Sequence, residues 1–358
     1  MLTISPVRFR QLAPSQLELW TRWQEAAPSL RSPCFRPEFT RLVDAVRADV
    51  EVAVFEQRGE TVGFLPFERR PGNRAVPVAG ALSDFHGVIV GPGTVWTAPQ
   101  FLDGCGLVSF AFDHLLADQT AFEEHHWNRV ESPALDLSEG FEAYSRHLRE
   151  ASASQLKRIQ RRTRKLEREI GPLRCVFHET DDAIFERLVD WKRQQYRDTG
   201  VPDRFAVDWT VALLRRVLDE KGPGFRGVLG TLYAGDTLAS IDLGIASHGV
   251  LQSWFPAYNR DLASYSPGLI HLLETARHGE ANGIHRIELG RGEEPYKRFF
   301  GNAGIEVAEG VVDTRPVVGW CRRTMFNTAT WIRKSPLRDA FRKPARLLRR
   351  LGPQAFQL

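Results

Sequence analysis

The chain has 358 residues, of which 42% are hydrophobic and 26% charged, and its net charge is +4. That composition excludes a low-complexity or fibrous protein and is sufficient for two domains, or two lobes of one unit. The charge is uneven: residues 313–358 hold eleven Lys/Arg against two Asp (+9), and the preceding 312 residues hold thirty-seven against forty-two Asp/Glu (−5). Cys34, Cys105, Cys175 and Cys321 lie far apart with no CxxC spacing, so reduced thiols and a cytoplasmic setting are expected. The opening Met1–Pro6 has no basic segment before an apolar core, and no apolar run approaches the roughly 20 residues of a spanning helix.

In chain order, residues 12–26 predict a helix opened by Pro14 and Ser15, with Leu17, Trp20 and Trp23 at helical spacing. Val50–Phe55 and Thr61–Phe67 predict a hairpin around Gln57-Arg58-Gly59-Glu60. Residues 71–99 are rich in Gly and Pro and read as loop. Residues 105–117 predict a helix with Leu107, Phe110, Ala111 and Leu115 as its apolar face. The second half opens with a long polar helix over 140–169, a strand near Leu173–His178, and helices at 182–197 and 208–220. Three strands follow at 226–233, 237–246 and 249–255, joined at Ala234-Gly235-Asp236 and Ser247-His248-Gly249. A helix over 267–281 stops at Asn282-Gly283, then come a strand at 284–289, a short helix at 293–300 and a strand at 305–312. Val52–Phe67 and Val228–Leu243 align without gaps at an offset of 176, an echo consistent with tandem duplication or with two unrelated hairpins.

The chemistry concentrates between Tyr258 and Lys297. Ser266 is a candidate N-cap, Pro267 suits the first helical position and Gly268 adds no bulk, so this is an ordinary helix start or one that receives an anion such as a pyrophosphate. Ile287 and Leu289 share one face of the next strand, and Arg286 and Glu288 the other. A carboxylate there, beside a Gly-rich turn with Tyr296 and Lys297, suits acid–base work; the plainer reading is a structural Arg286–Glu288 pair on a solvated face. Gly222–Gly227 matches GxGxxG but opens no helix, which excludes a dinucleotide site, and His125-His126 lacks companions at metal spacing. The basic helix (Lys157, Arg158, Arg161, Arg162, Arg164, Lys165) reads as a solvated face or as contact with an anionic acceptor. The tail mixes Trp320, Phe326, Trp331 and Phe341 with arginines, which suits anionic lipid or packing onto the body.

Ser266-Pro267-Gly268, Gly283 and the run Glu288-Leu289-Gly290-Arg291-Gly292-Glu293-Glu294-Pro295-Tyr296-Lys297-Arg298-Phe299-Phe300-Gly301 resemble the GNAT acetyltransferase subfamily typified by the cellulose-biosynthesis protein CelD, distantly related to FemABX transferases. The basic helix and Ser83-Asp84-Phe85-His86-Gly87 fit the same pattern, and Glu288 departs from the commoner Asp. The resemblance implies an α/β fold of two tandem GNAT-like lobes, 1–140 and a catalytic 141–312, with mixed, mostly antiparallel sheets and a basic helical tail, 313–358. It implies an acetyl-CoA co-substrate, no metal, and a cleft between two parted strands for the pantetheine arm. Gln252, Ser253 and Trp254 would line that cleft and supply an N–H to the thioester oxygen, and Ser266, Pro267 and Gly268 would hold the phosphates. Glu288 and Asp242 are the base candidates and Tyr296 and Tyr258 the acid candidates. Arg291 and Lys297 would bind phosphate or an anionic acceptor, and Lys192 lies on a helix bordering the acceptor site. The implied activity is N- or O-acetylation of a saccharide, nucleotide-linked or lipid-linked, in exopolysaccharide or cell-envelope assembly, in the cytoplasm or against the inner membrane face. The alternatives are an aminoacyl transferase using charged tRNA and a non-catalytic, membrane-docked assembly factor.

Overall fold

The computed structural model of the chain describes residues 1–292 and 294–334, the side chains of 332–334 excepted. The first half contains β1 (Leu2–Val7), α1 (Pro14–Ala26), α2 (Pro37–Asp44), β2 (Val50–Gln57), β3 (Glu60–Arg70), β4 (Arg74–Pro77), β5 (Ile89–Val90), α3 (Ala98–Cys105), β6 (Ser109–Leu116) and β7 (His126–Asp136). The second contains α4 (Gly140–Glu169), β8 (Leu173–Val176), α5 (Asp182–Thr199), α6 (Asp208–Asp219), β9 (Arg226–Ala234), β10 (Thr237–Ser247), β11 (Val250–Tyr258), α7 (Pro267–Arg277), β12 (Arg286–Glu288), α8 (Pro295–Phe300), β13 (Ala303–Asp313) and α9 (Pro316–Lys334).

The strands form one mixed sheet in the order β1-β2-β3-β4-β6-β13-β7-β12-β11-β10-β9-β8, with β5 on β3. Read from its two ends the order is the same: four strands, a parallel step (β4 to β6, β11 to β12), then two more. Those last two are exchanged. β13, from the end of the second half, pairs with β6, and β7, from the end of the first, pairs with β12. β7 and β13 pair with each other, which joins the two lobes edge to edge. The echoing hairpins, β2–β3 and β9–β10, occupy equivalent places in this order, and each turns on a glycine of positive φ (Gly59, Gly235).

Three expectations are corrected. Residues 105–117 are no helix: α3 ends at Cys105 and residues 109–116 form β6. Phe110 and Leu115 are buried as expected, but Phe112 and Leu116 are buried too, so the strand is loaded on both faces and its apolar positions also satisfy a helical spacing. The stretch 71–99 is not all loop, since it supplies β4 and β5. The expected helix over 267–281 ends at Arg277, and a 3-10 turn, Glu280–Asn282, follows. α4 covers its expected span but is kinked at Ser152 (φ −166°, ψ 89°). The expected tail is helical over Pro316–Lys334, and its remainder lies outside the described residues.

One core, with Leu251, Ile287, Ile270 and Leu273, lies under α4 and α7. Another unites Phe39, Phe64 and Phe85 of the first half with Ile241, Leu243, Trp254 and Phe255 of the second, so the opposite face of β10 and β11 is covered partly by the first half.

Candidate active site

β11 and β12 run parallel for only three pairs, Val250–Arg286 to Gln252–Glu288. Beyond Glu288 the chain leaves β11, and the Leu289 N–H bonds to Pro133 O of β7 at 3.0 Å. β11 continues to Tyr258 without β12 beside it. The two strands therefore part at Gln252 and Glu288.

On the α4/α7 side, Asp242 of β10 accepts from Ser253 Oγ at 2.5 Å, and its Oδ1 has no partner. Burial pushes the Asp242 carboxyl up to about 7, against the pull of Ser253 and Lys192. The Tyr258 ring lies beside Gly268, where a Cβ would meet only its Cδ1, at 3.9 Å. Ser266 occupies the N-cap position but not as expected: it is left-handed (φ 56°, ψ 55°) and its side chain makes no cap. Its hydroxyl accepts instead from Arg162 Nη1 of α4 at 2.5 Å. Pro267 has no N–H, and the Leu269 and Ile270 N–H groups donate to Ser266 O, so at this end of α7 the Gly268 N–H, which carries no side chain, is the one near an arginine that those bonds leave.

On the other side, Gln252 and Glu288 are 0% and 1% exposed. Gln252 Nε2 donates to Asp84 Oδ2 at 2.7 Å, so a first-half loop delivers a second carboxylate to the point of parting. Trp254 Nε1 donates to Leu82 O at 2.7 Å and holds that loop in place. Gly290 (φ +68°) makes room for the same group, since a Cβ there would stand 3.0 Å from Asp84 Oδ2. Burial raises the Glu288 carboxyl to about 7; Arg286 and the Ser32 hydroxyl nearby oppose the shift, and Asp84 adds to it. Arg286 Nε reaches Glu288 Oε1 at 3.4 Å, so the expected pair exists, but Glu288 lies on no solvated face. Burial also raises Asp84, and the buried Cys34 thiol against the Asp84 amide is pushed up to about 12. Two buried acceptors, Glu288 Oε2 and Gln252 Oε1, have no hydrogen-bond donor.

Tyr296 is the second residue of α8: burial raises its hydroxyl, and Glu294, Asp242 and Asp84 raise it further. Lys192 of α5 donates to Gln195 Oε1 (3.0 Å) and Pro256 O (3.3 Å), and burial lowers its ammonium to about 8 against the pull of Asp242. Lys297 and Arg291 turn inward. Lys297 Nζ bonds to the Gly290 and Arg291 carbonyls at 3.1 Å, and Arg291 bonds to Asp113 O and Glu309 Oε2 at 2.8 Å. Both hold the 290–292 turn. Sequence reasoning assigned no role to Asp84, Ser32 or Cys34. Asp84 lay within the noted Ser83–Gly87 stretch, but its partner Gln252 is 168 positions away.

Residues 153–298 match the family model described as an acetyltransferase (GNAT) domain. No curated protein sequence matches the chain. Among solved structures, FemX is similar over 82% of this chain and 94% of its own, with 9% identity and a TM-score of 0.55. The C-terminal DUF2156 domain of a protein described as a lysylphosphatidylglycerol synthetase, from Agrobacterium fabrum, covers 88% and 96% with 10% identity and a TM-score of 0.52. A tandem GNAT protein from the clavulanic acid biosynthesis pathway covers 88% and 99% with 12% identity and a TM-score of 0.50. At these identities the likeness shows the fold, a tandem GNAT arrangement. With the matched domain it makes this protein an acyltransferase.

Proposed function

We propose that this acyltransferase moves an acetyl or related acyl group from a coenzyme A thioester to an amine or hydroxyl of a saccharide-type acceptor, and that residues 141–312 carry the chemistry. The observation that carries the reading is the parting of β11 and β12 at a buried carboxylate, Glu288, whose Oε2 has no donor. The pantetheine arm would enter on the α4/α7 side, past Ser253 and Tyr258. Its diphosphate would face the amides at Gly268, with Arg162 beside them. The acceptor would approach from the first-half side. Its N–H or O–H would supply the hydrogen that Glu288 Oε2 and Gln252 Oε1 lack.

A carboxyl held near 7 can take a proton from an attacking amine at neutral pH, where an ordinary carboxylate is a weak base. The amine nitrogen attacks the thioester carbonyl carbon, the C–S bond breaks, and the thiolate leaves. An unpaired N–H of β11 beyond Gln252 would stabilise the oxyanion, a contribution of about 3–4 kcal/mol per donor. Tyr296, whose hydroxyl burial and the Asp242 and Asp84 charges keep protonated, would return a proton to the thiolate. Arg291 and Lys297 would shape the turn and leave the phosphates to α7 and α4. The saccharide acceptor and an envelope or exopolysaccharide setting in the cytoplasm rest on the CelD-like run Glu288–Gly301.

The test is thiol release from acetyl-CoA in the presence of amino sugars and their nucleotide-linked forms. Glu288→Gln is expected to lower kcat by about 10²–10⁴-fold with little change in donor affinity. Wild-type turnover that survives in Glu288→Gln would overturn the assignment. Absence of acetyl-CoA binding together with activity on charged tRNA would replace it with aminoacyl transfer.

A further inference from the structure

We propose that the outward face of α9 is a docking surface for an anionic lipid bilayer. One side of α9 is fastened to the body: Phe326 is buried against the Trp127 ring, 5.4 Å between centroids, and Arg322 reaches Asp313 at 3.2 Å. The opposite side is apolar and open. Val317, Trp320, Thr324, Thr328 and Trp331 follow at i, i+3, i+7, i+11 and i+14, a single stripe about 21 Å long. Val317, Trp320 and Trp331 are 74%, 68% and 62% exposed, and Met325 on the flank is 64% exposed. The two threonines do not break the stripe. Thr324 Oγ1 donates to Trp320 O and Thr328 Oγ1 to Thr324 O, both at 2.9 Å, so each hydroxyl proton is already taken up by the helix backbone. Soluble surfaces seldom carry two open tryptophans on one helix face without a partner.

The charge of this part of the sequence selects the partner. Residues 313–334 carry five Lys/Arg against one Asp, and residues 335–358 carry six against one. Arg323 is exposed on the flank. Tryptophan rings with clustered Lys/Arg suit a headgroup layer, where the ring sits at the boundary and the cations meet anionic lipid. A second copy of α9 would bring like charge to like charge. No helix among the described residues is long and apolar enough to cross a membrane, so the helix would lie on the surface. This inference does not depend on the acyl-transfer reading.

The test is flotation of the full chain with phosphatidylcholine vesicles and with mixed phosphatidylcholine–phosphatidylglycerol vesicles. The wild type is expected to float with the mixed vesicles, less so with phosphatidylcholine alone, and to detach as salt is raised. The double variant Trp320→Ser, Trp331→Ser keeps the Phe326 anchor. It should lose binding by about tenfold or more, with its melting temperature and acyl-transfer rate unchanged. Undiminished flotation of the double variant would overturn the proposal, and so would failure of the wild type to bind mixed vesicles. A wild-type dimer that the double variant disperses would assign the stripe to a second copy instead.

Discussion

Gly268 separates the demands of the fold from those of the donor. It is the second residue of α7, and a Cβ there would have one neighbour, Tyr258 Cδ1 at 3.9 Å, which is ordinary contact. For folding alone, Gly268→Ala should be neutral or favourable, because alanine is about 0.5–1 kcal/mol better than glycine in a helix. For donor binding the sign reverses. A side chain at 268 stands where a diphosphate must approach the amide, and losing one charge-assisted hydrogen bond costs about 1.5–3 kcal/mol. That corresponds to roughly 10- to 150-fold in affinity. Gly268→Leu should therefore melt no lower than the wild type by more than about 1–2 °C. Its affinity for acetyl-CoA by calorimetry should fall at least about tenfold, while kcat at saturating donor stays within about threefold. Wild-type donor affinity in a folded Gly268→Leu protein would refute the placement of the phosphates.

Four further outcomes follow from named contacts. Glu288 is raised in the folded chain, from 4.5 to about 7, so the native state holds the proton more tightly than the unfolded state. Its contribution to stability is full below about 4.5 and is lost as pH rises through about 7, on the order of 3 kcal/mol. Glu288→Gln should thus gain stability relative to the wild type between pH 5 and pH 8 (denaturation at each pH), and a constant difference would contradict the burial argument. In the wild type the transfer rate should climb through about pH 7 as Glu288 deprotonates, with that limb absent in the variant. Gly227→Ala would push a Cβ to 2.3 Å from Val217 O of α6, backbone that cannot swing aside. It should cost about 1–3 kcal/mol in denaturant titrations while donor affinity is preserved. Because β13 lies between β6 and β7, neither half has a complete sheet without the other. Calorimetry should show one cooperative transition, and two separated transitions would contradict the strand exchange.

Much of the second half could be read from its residues. The periodicities of α5, α6, β9 and β10 are clean, and their turns carry Gly235 and Gly249 at positive φ. The first half was harder for specific reasons. β6 is buried on both faces, which erases the alternation that marks a strand. β7 is a central strand that contains Pro133 and several polar residues, a composition that argues against a central position. Proline is accommodated because Pro133 still offers its carbonyl, to the Leu289 N–H. The site divides in the same way. Glu288 and Tyr296 stand close in sequence and Asp242 sits in the alternation of β10, whereas the Asp84–Gln252 bond joins the two halves and leaves no local signature. The inward use of Arg291 and Lys297 was equally hidden, because a basic residue after a glycine turn looks the same whether it holds the turn or a phosphate.

A crystal structure with acetyl-CoA, or with a thioester analogue that cannot react, tests the central claim most directly. The account predicts the pantetheine chain between β11 and the end of β12, its diphosphate on the amides at Gly268 and its thioester at the level of Gln252 and Glu288. A donor bound elsewhere, with Glu288 still sealed beneath closed strands, would contradict it.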